Sequence, residues 1–300
     1  MNEHIDLNAL QGGAILPSPA WQRRKLQQLC QQQVPLDELA EQISSDPAMS
    51  GTVIGLANAA LAPRQRSHAA VNGAMLASIG LPALRQAFAG PAAAPAPCDG
   101  FDQQRYWAHA LAMACAARLV GDALRLAPAD ELFTCGLLAR SGQLALASLR
   151  PQAYAQLLRQ HGGGAPAGLL QQEARRFGHH QLALSGMLMR GWGMPELLCD
   201  AVLCHAAPPG CGLAGRLSNL AWLLKLASAI ADLILLNGAG QRGPAIGAAR
   251  ALGLDAERLE TLLRHSNADW TEWQNLRGQT PYAAPMRAMQ ASAHHHAACF

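Results

Sequence analysis

Apolar residues recur every three or four positions along most of the chain, which is the spacing of helices that bury one face in a core. Leu36, Leu39 and Ile43 show this spacing, and Met49 and Val53 begin a second example. The apolar pattern therefore predicts a succession of helices.

Proline and capping residues mark where these helices begin. Ser18-Pro19 and Asp46-Pro47 each predict a capped helix start, because the polar side chain accepts from a free amide and Pro tolerates the first helical position. Further helices are predicted over residues 71–79, 81–88, 101–126, 128–138, 142–149, 166–177, 180–190, 195–205, 213–236, 246–252 and 255–265.

The composition favours an all-α fold. Ala, Leu, Gln and Arg are abundant while only 5% of residues are aromatic, a balance that suits helices better than strands. Half of the 300 residues are hydrophobic, so the chain can bury a sizeable core, which excludes intrinsic disorder.

The charge, the N-terminal sequence and the cysteine content limit the cellular locations and the classes of partner that the sequence predicts. The formal charge of +3, from 23 basic and 20 acidic residues, is too small to build a phosphate-binding surface, so no nucleic-acid partner is expected. The N-terminus lacks the basic and apolar regions of a secretory signal, which predicts a cytoplasmic protein. Eight cysteines show no framework spacing, so we expect reduced thiols and no disulfide.

The apolar stretch over residues 213–236 has the length of a membrane span. Arg216, Lys225 and Asp232 interrupt it at short intervals, which a hydrocarbon core disfavours. We therefore expect a buried helix and no membrane insertion.

Residues 90–98 carry three prolines in nine positions and cannot sustain a helix, so we expect a linker there. The predicted organisation is an N-terminal helical lobe over about residues 14–90 and a second lobe over about 99–212. A C-terminal helical segment with a loose tail follows over 213–300.

Eight short segments of the chain together resemble one known family. The first four are 43–50 (ISSDPAMS), 56–60 (LANAA), 74–85 (AMLASIGLPALR) and 106–109 (YWAH). The other four are 135–142 (CGLLARSG), 177–180 (FGHH), 191–195 (GWGMP) and 201–205 (AVLCH). In order and spacing they resemble the HDOD domains of bacterial signalling proteins, over roughly residues 14 to 210. The resemblance implies an HD-like helical bundle of two lobes, within a predicted HDOD domain over 14–212.

The resemblance also implies a relationship to HD phosphohydrolases, which hold a divalent metal through a His, an adjacent His-Asp pair and a distal Asp. His109 matches the first His, and Asp232 is a counterpart of the distal Asp. The position of the pair is Ala139-Arg140, where Ala has no donor atom and Arg carries a permanent positive charge. We therefore expect a degenerate site without metal, cofactor or catalytic residues.

Two interpretations of Arg140 stay open at the level of sequence. The guanidinium could occupy the place of the metal and pair with Asp232 or another acid, replacing the charge of the ion. It could equally face solvent. His109, His180 and His205 are expected to be hydrogen-bonded histidines of a packed interior, and are included in the degenerate site.

Two other patterns carry little weight. Cys199, Cys204, His205 and Cys211 contain thiol and imidazole ligands suited to zinc, but no pair of cysteines has the usual two-residue gap. Residues 210–215 match a dinucleotide-binding glycine pattern, yet they do not follow a strand.

The function that follows is a non-catalytic regulatory module, which the resemblance places in bacterial signal transduction. It would bind an unidentified signalling protein or a small ligand. The alternative from another class is a metal-dependent phosphohydrolase that uses a rearranged set of His109, His180, His205 and Asp232. A nucleic-acid-binding regulator is a third possibility, which the balanced charge disfavours.

Overall fold

A computed structural model describes residues 5, 16–62, 67–89, 98–162, 166–206, 215–236 and 242–277. Within these ranges every regular element is a helix and no strand is formed, which confirms the predicted all-α fold. Most of the predicted linker, the residue Cys211 and the predicted loose tail lie outside the described residues.

The helices of the described chain, in order, are α1 (Ala20–Gln32), α2 (Leu36–Ser44), α3 (Pro47–Leu61), α4 (Gly73–Ile79), α5 (Leu81–Ala89), α6 (Gln103–Leu124), α7 (Ala129–Leu138), α8 (Ser141–Leu149), α9 (Pro151–His161), α10 (Pro166–Phe177), α11 (Gln181–Gly191), α12 (Glu196–Cys204), α13 (Gly215–Leu235), α14 (Gly243–Ala251) and α15 (Ala256–Arg277).

Asp46 caps α3 as the sequence predicts. Its Oδ1 accepts hydrogen bonds from the amides of Ala48 and Met49 at 2.8 and 3.1 Å, which satisfies two of the amides left free at a helix start. The cap predicted at Ser18 is wrong, since α1 begins after Pro19 without a side-chain cap. The Ser18 hydroxyl instead donates to Asp46 Oδ2 at 2.7 Å, so it supports the cap of another helix.

Helix α6 lies at the centre of the fold. All of its residues from 106 to 117 are buried, and α7, α13 and α15 pack around it. A helix enclosed in this way must be apolar on all sides. His109 is the exception, because it is a buried ionisable side chain on this helix.

The C-terminal helix extends further than its sequence pattern predicts. The helix expected to end near residue 265 continues through Trp270 and Trp273 as part of α15. Trp270 Nε1 donates to the carbonyl oxygen of Ala108 on α6 at 3.1 Å, and the Trp273 ring lies 4.8 Å from that of Phe133. The two tryptophans therefore dock α15 onto the body of the protein.

Two stretches of the described chain, Ala129–Leu149 and Gly215–Leu235, have the length and apolar composition of a membrane span. Most of each stretch, 78% and 61% of the residues considered, is buried against other helices. Core helices of this length have the same composition, so the stretches identify no membrane span. The predicted burial of the apolar helix is confirmed over Gly215–Leu235.

Helices α1 to α5 pack mainly against one another, and α3 also reaches the rest of the bundle. Gly51 and Gly55, one turn apart on α3, form a flat strip against which the Trp192 ring lies. A Cβ atom at Gly51 would be 2.6 Å from that ring, and one at Gly55 would be 3.1 Å from it. Only residues without a side chain allow this approach.

Asn58, one further turn along α3, stabilises the same contact by hydrogen bonds to the backbone at Trp192 and Gly193. Its Nδ2 lies 2.9 Å from the carbonyl oxygen of Trp192 and 3.1 Å from that of Gly193. Its Oδ1 accepts from the amide of His68. We call Gly51, Gly55, Asn58 and Trp192 the Trp192 contact.

Substitution of Gly51 by Ala tests the Trp192 contact. The added methyl group would overlap the Trp192 ring, and overpacking of this kind costs about 1–3 kcal/mol. We expect Gly51→Ala to lower the free energy of unfolding by that amount, measured by urea denaturation.

Gly247→Ala is the matched control, because Gly247 lies within α14 and no atom is within 4 Å of a Cβ placed there. Ala is the better helix former by roughly 0.5–1 kcal/mol, so this variant should be slightly stabilised. Equal effects of the two substitutions would show that the close approach of Trp192 is not needed for stability.

Candidate functional site

The predicted site residues come from different helices. His109 lies on α6, Asp232 on α13 and His180 immediately before α11, while His205 follows α12. Ala139 and Arg140 form the short connection between α7 and α8.

The structure brings His109 and Asp232 into contact. His109 Nε2 lies 3.3 Å from Asp232 Oδ1, although the ring N–H is not aligned for a directed hydrogen bond. The imidazole is buried, whereas 56% of the Asp232 side chain is exposed. The contact therefore joins a buried ring, His109, to a carboxylate at the surface, Asp232.

Burial sets the charge of this pair. Burial lowers the pKa of His109, and the positive charge of Arg140 lowers it further, against the raising effect of Asp232. For Asp232 burial acts to raise the pKa, but its contact with His109 and the charges of Arg140 and Arg105 outweigh this and lower it. At neutral pH the contact thus joins a neutral ring and a carboxylate.

His205 and His180 have separate backbone partners. His205 is buried and its Nδ1 lies 2.6 Å from the carbonyl oxygen of Val202, to which the ring must donate. Burial lowers its pKa to about 4. His180 caps α11, because its Nδ1 accepts from the amide of Ala183 at 3.2 Å. Both rings are hydrogen-bonded, but only His205 is a histidine of the packed interior, because His180 is half-buried. His109 is buried, yet neither of its ring nitrogens makes a directed hydrogen bond to a described residue.

Ala139 is fully buried, and Arg140 is half-buried with its Nη2 donating to Gln143 Oε1 at 2.7 Å. Among the described residues no carboxylate lies within ion-pair distance of the guanidinium, so the direct pairing of Arg140 with Asp232 is not formed. The charge of Arg140 nevertheless contributes to lowering the pKa values of His109, His205 and Asp232. Arg140 is thus neither an ion-pair partner nor a fully solvated side chain.

The side chains of the candidate site do not form the ligand set for the divalent metal that HD phosphohydrolases hold. In the described part of the chain no three His, Cys, Asp or Glu side chains are placed to bind a metal ion. Two of the four expected positions are Ala139 and Arg140, which supply no ligand and a repelling charge. Of the zinc set, Cys211 lies outside the described residues, and the Cys199 thiol donates to the carbonyl oxygen of Met194.

Sequence reasoning missed a buried carboxyl group at Glu173 on α10. Glu173 is fully buried and accepts from the Tyr154 hydroxyl at 3.0 Å. The amide and side-chain Nε2 of Gln181 also donate to it, at 2.8 and 3.2 Å. Burial raises its pKa to about 7, while these donors and the charge of Arg140 act in the opposite direction. The carboxyl group therefore joins α9, α10 and the start of α11.

The sequence carried a signal for this group. Leu169, Glu173 and Phe177 are spaced four apart, which places the carboxyl group within the apolar stripe of α10. A single charged residue between apolar neighbours at this spacing indicates a buried group that needs partners.

Glu173→Gln is expected to change the pH dependence of stability. The pKa of Glu173 is raised from 4.5 to about 7 in the folded protein, so the folded state holds its proton more tightly than the unfolded state. The protonated Glu173 carboxyl group therefore contributes to the free energy of unfolding below pH 4.5, and this contribution is lost as pH rises through 7. Relative to the variant, the wild type should lose about 3 kcal/mol over this range, measured by urea denaturation at several pH values.

The comparison with Glu173→Gln is needed because His205 acts with the opposite sign. Its folded pKa of about 4 lies below the ordinary 6.5, so its contribution is lost as pH falls through that interval. The difference between wild type and variant cancels this effect. Parallel stability curves would contradict a raised pKa at Glu173.

The comparisons with known proteins identify the family and the fold. The sequence profile of the HDOD domain matches residues 16–208. The chain therefore belongs to the HDOD domain family. A search of curated proteins finds no match.

Solved structures share the fold. The MmoQ response regulator of Methylococcus capsulatus str. Bath is 31% identical, with a TM-score of 0.70 over 83% of this chain and 97% of that one. A virulence factor from Campylobacter jejuni subsp. jejuni is 18% identical, with a TM-score of 0.65 over 88% and 98%. A candidate phosphohydrolase from Shewanella amazonensis SB2B is 21% identical, with a TM-score of 0.52 over 89% and 97%. The last two likenesses concern the fold alone.

Proposed function

We propose that this protein is a non-catalytic regulatory module of bacterial signal transduction that acts in the cytoplasm. It works by binding a partner protein or a small ligand. The observation that carries this proposal is the guanidinium of Arg140, whose charge acts on His109, His205 and Asp232 where an HD hydrolase needs ligands.

Electrostatics supports the absence of catalysis. A hydrolytic HD centre requires a divalent ion to lower the pKa of a bound water. A fixed positive charge near the same imidazoles opposes the binding of a cation, and it cannot itself release a proton near neutral pH. His109 and His205 are neutral, and no second carboxylate accompanies Asp232 within ion-pair distance of His109 among the described residues.

The similarity to MmoQ supports the regulatory part of the proposal. That protein is described as a response regulator, and nearly its whole chain is matched at 31% identity. An HDOD module of this kind would transmit a signal through contacts with another molecule. The near-neutral charge of +3 favours a protein or small ligand over a nucleic acid.

The alternative is a phosphohydrolase that uses His109, His180, His205 and Asp232. The surviving contact between His109 and Asp232 is the observation in its favour. His180 argues against it, because its Nδ1 lone pair accepts from the amide of Ala183.

The purified protein is expected to carry no stoichiometric divalent metal and to hydrolyse neither p-nitrophenyl phosphate nor its bis ester with added Mn²⁺. Metal content is measured by mass spectrometry and hydrolysis by absorbance. The Asp232→Ala variant serves as the baseline, since it removes the one exposed carboxylate of the site. Turnover in the wild type that this variant abolishes would overturn the proposal.

The double variant Ala139→His, Arg140→Asp supplies the missing ligands. It should bind Mn²⁺ more tightly than the wild type by about tenfold or more, because a positive charge is replaced by two ligands. Calorimetry measures the affinity, and circular dichroism checks that the fully buried position 139 accepts the larger residue. Equal affinities in a folded double variant would show that these two positions do not decide metal binding.

A further inference from the structure

Three polar atoms near Arg140 are buried without a hydrogen-bond partner among the described residues. They are the Tyr106 hydroxyl, His109 Nδ1 and the Ser141 hydroxyl. These residues are 4%, 2% and 0% exposed. Because folded proteins pair nearly all of their buried polar groups, such atoms in one region indicate that a polar group from outside the chain completes them.

Helix geometry places these groups together. Tyr106 and His109 are three residues apart on α6 and therefore share a face. The charge of Arg140 lowers the pKa of His109 and opposes the increase that burial causes in the pKa of Tyr106. Ser141 follows Arg140 directly at the first position of α8. Ser141 is thus adjacent to Arg140 in the chain, and Tyr106 and His109 lie close enough to its guanidinium to respond to its charge.

The position of this cluster suits a binding site. The charge of Asp46, at the start of α3, also acts on Tyr106, so the cluster faces the N-terminal helices as well. Arg140 is half-buried and Asp232 is largely exposed, which connects the cluster to the surface.

The chemistry of the groups defines the ligand class. Arg140 has five N–H donors, of which the structure uses one on Gln143 Oε1. Two hydroxyls add neutral donors, and Asp232 is already engaged by His109. A guanidinium with adjacent hydroxyls is the donor set that binds oxyanions.

We propose that this cluster is a binding site for the anionic group, phosphate or carboxylate, of a small molecule. Arg140 pairs with the anion, and the hydroxyls of Tyr106 and Ser141 donate to it. This inference rests on the proposed regulatory function, of which it specifies the ligand chemistry.

Calorimetric titration of the intact protein with inorganic phosphate, and separately with succinate, tests the site at constant ionic strength. A saturable heat with phosphate alone identifies a phosphoryl ligand, and one with succinate alone a carboxylate. Arg140→Gln should weaken the binding by about tenfold or more, because a charge-assisted contact is lost. Arg159→Gln, at an exposed position on α9, should leave it unchanged.

Tyr106→Phe provides a second variant that keeps the fold. It removes only the unpaired hydroxyl, so the melting temperature without ligand should stay the same or rise, while anion binding weakens. A fall in melting temperature would show that the hydroxyl has a structural partner and would remove it from the site.

Failure of this inference is distinguishable from failure of the proposed function. No saturable heat with either anion, or equal binding by wild type and Arg140→Gln, overturns the anion site and leaves the absence of catalysis intact. Turnover of a phosphate ester that depends on Asp232 overturns the proposed function, whatever the binding results.

Discussion

The burial of α6 on every side is the constraint on which the site depends. Helices α7, α13 and α15 pack around it, so no face of its central turns contacts water. A polar side chain on such a helix must be neutral or find a partner within the protein. His109 does both, since burial and Arg140 lower its pKa and Asp232 lies 3.3 Å from its Nε2. The same enclosure leaves the Tyr106 hydroxyl without a partner in the described chain.

The helices could be predicted from sequence because their determinants are local. The cap at Asp46 and the apolar spacing after it are read within one turn, and the structure confirms that start. Contacts between residues that are distant in sequence could not be predicted in this way. Ser18 resembled a local cap but donates to Asp46, and Trp270 lies in α15, where the amphipathic pattern weakens. Its bond to the carbonyl oxygen of Ala108, far away in sequence, is invisible to periodicity.

The candidate site was predictable in part. The resemblance named His109 and Asp232 as parts of one site, and the structure places His109 Nε2 3.3 Å from Asp232 Oδ1, although Asp232 lies outside the residues 16–208 that the family profile matches. The direction of the Arg140 side chain was not predictable, since a long flexible chain selects among partners that only packing brings near. The guanidinium donates to Gln143 and acts on Asp232 from a distance. Glu173 was missed although its position between Leu169 and Phe177 places it on an apolar stripe.

A guanidinium and a metal ion control a buried site in different ways. A bound ion can leave, exchange or activate water, so the charge of its site depends on occupancy. Arg140 is covalently attached to the chain, and its positive charge helps to hold His109 and His205 neutral and Asp232 ionised. Such a centre has a constant charge pattern. Under the proposed function, a signal would act through what binds to that pattern or through movement of the helices that present it.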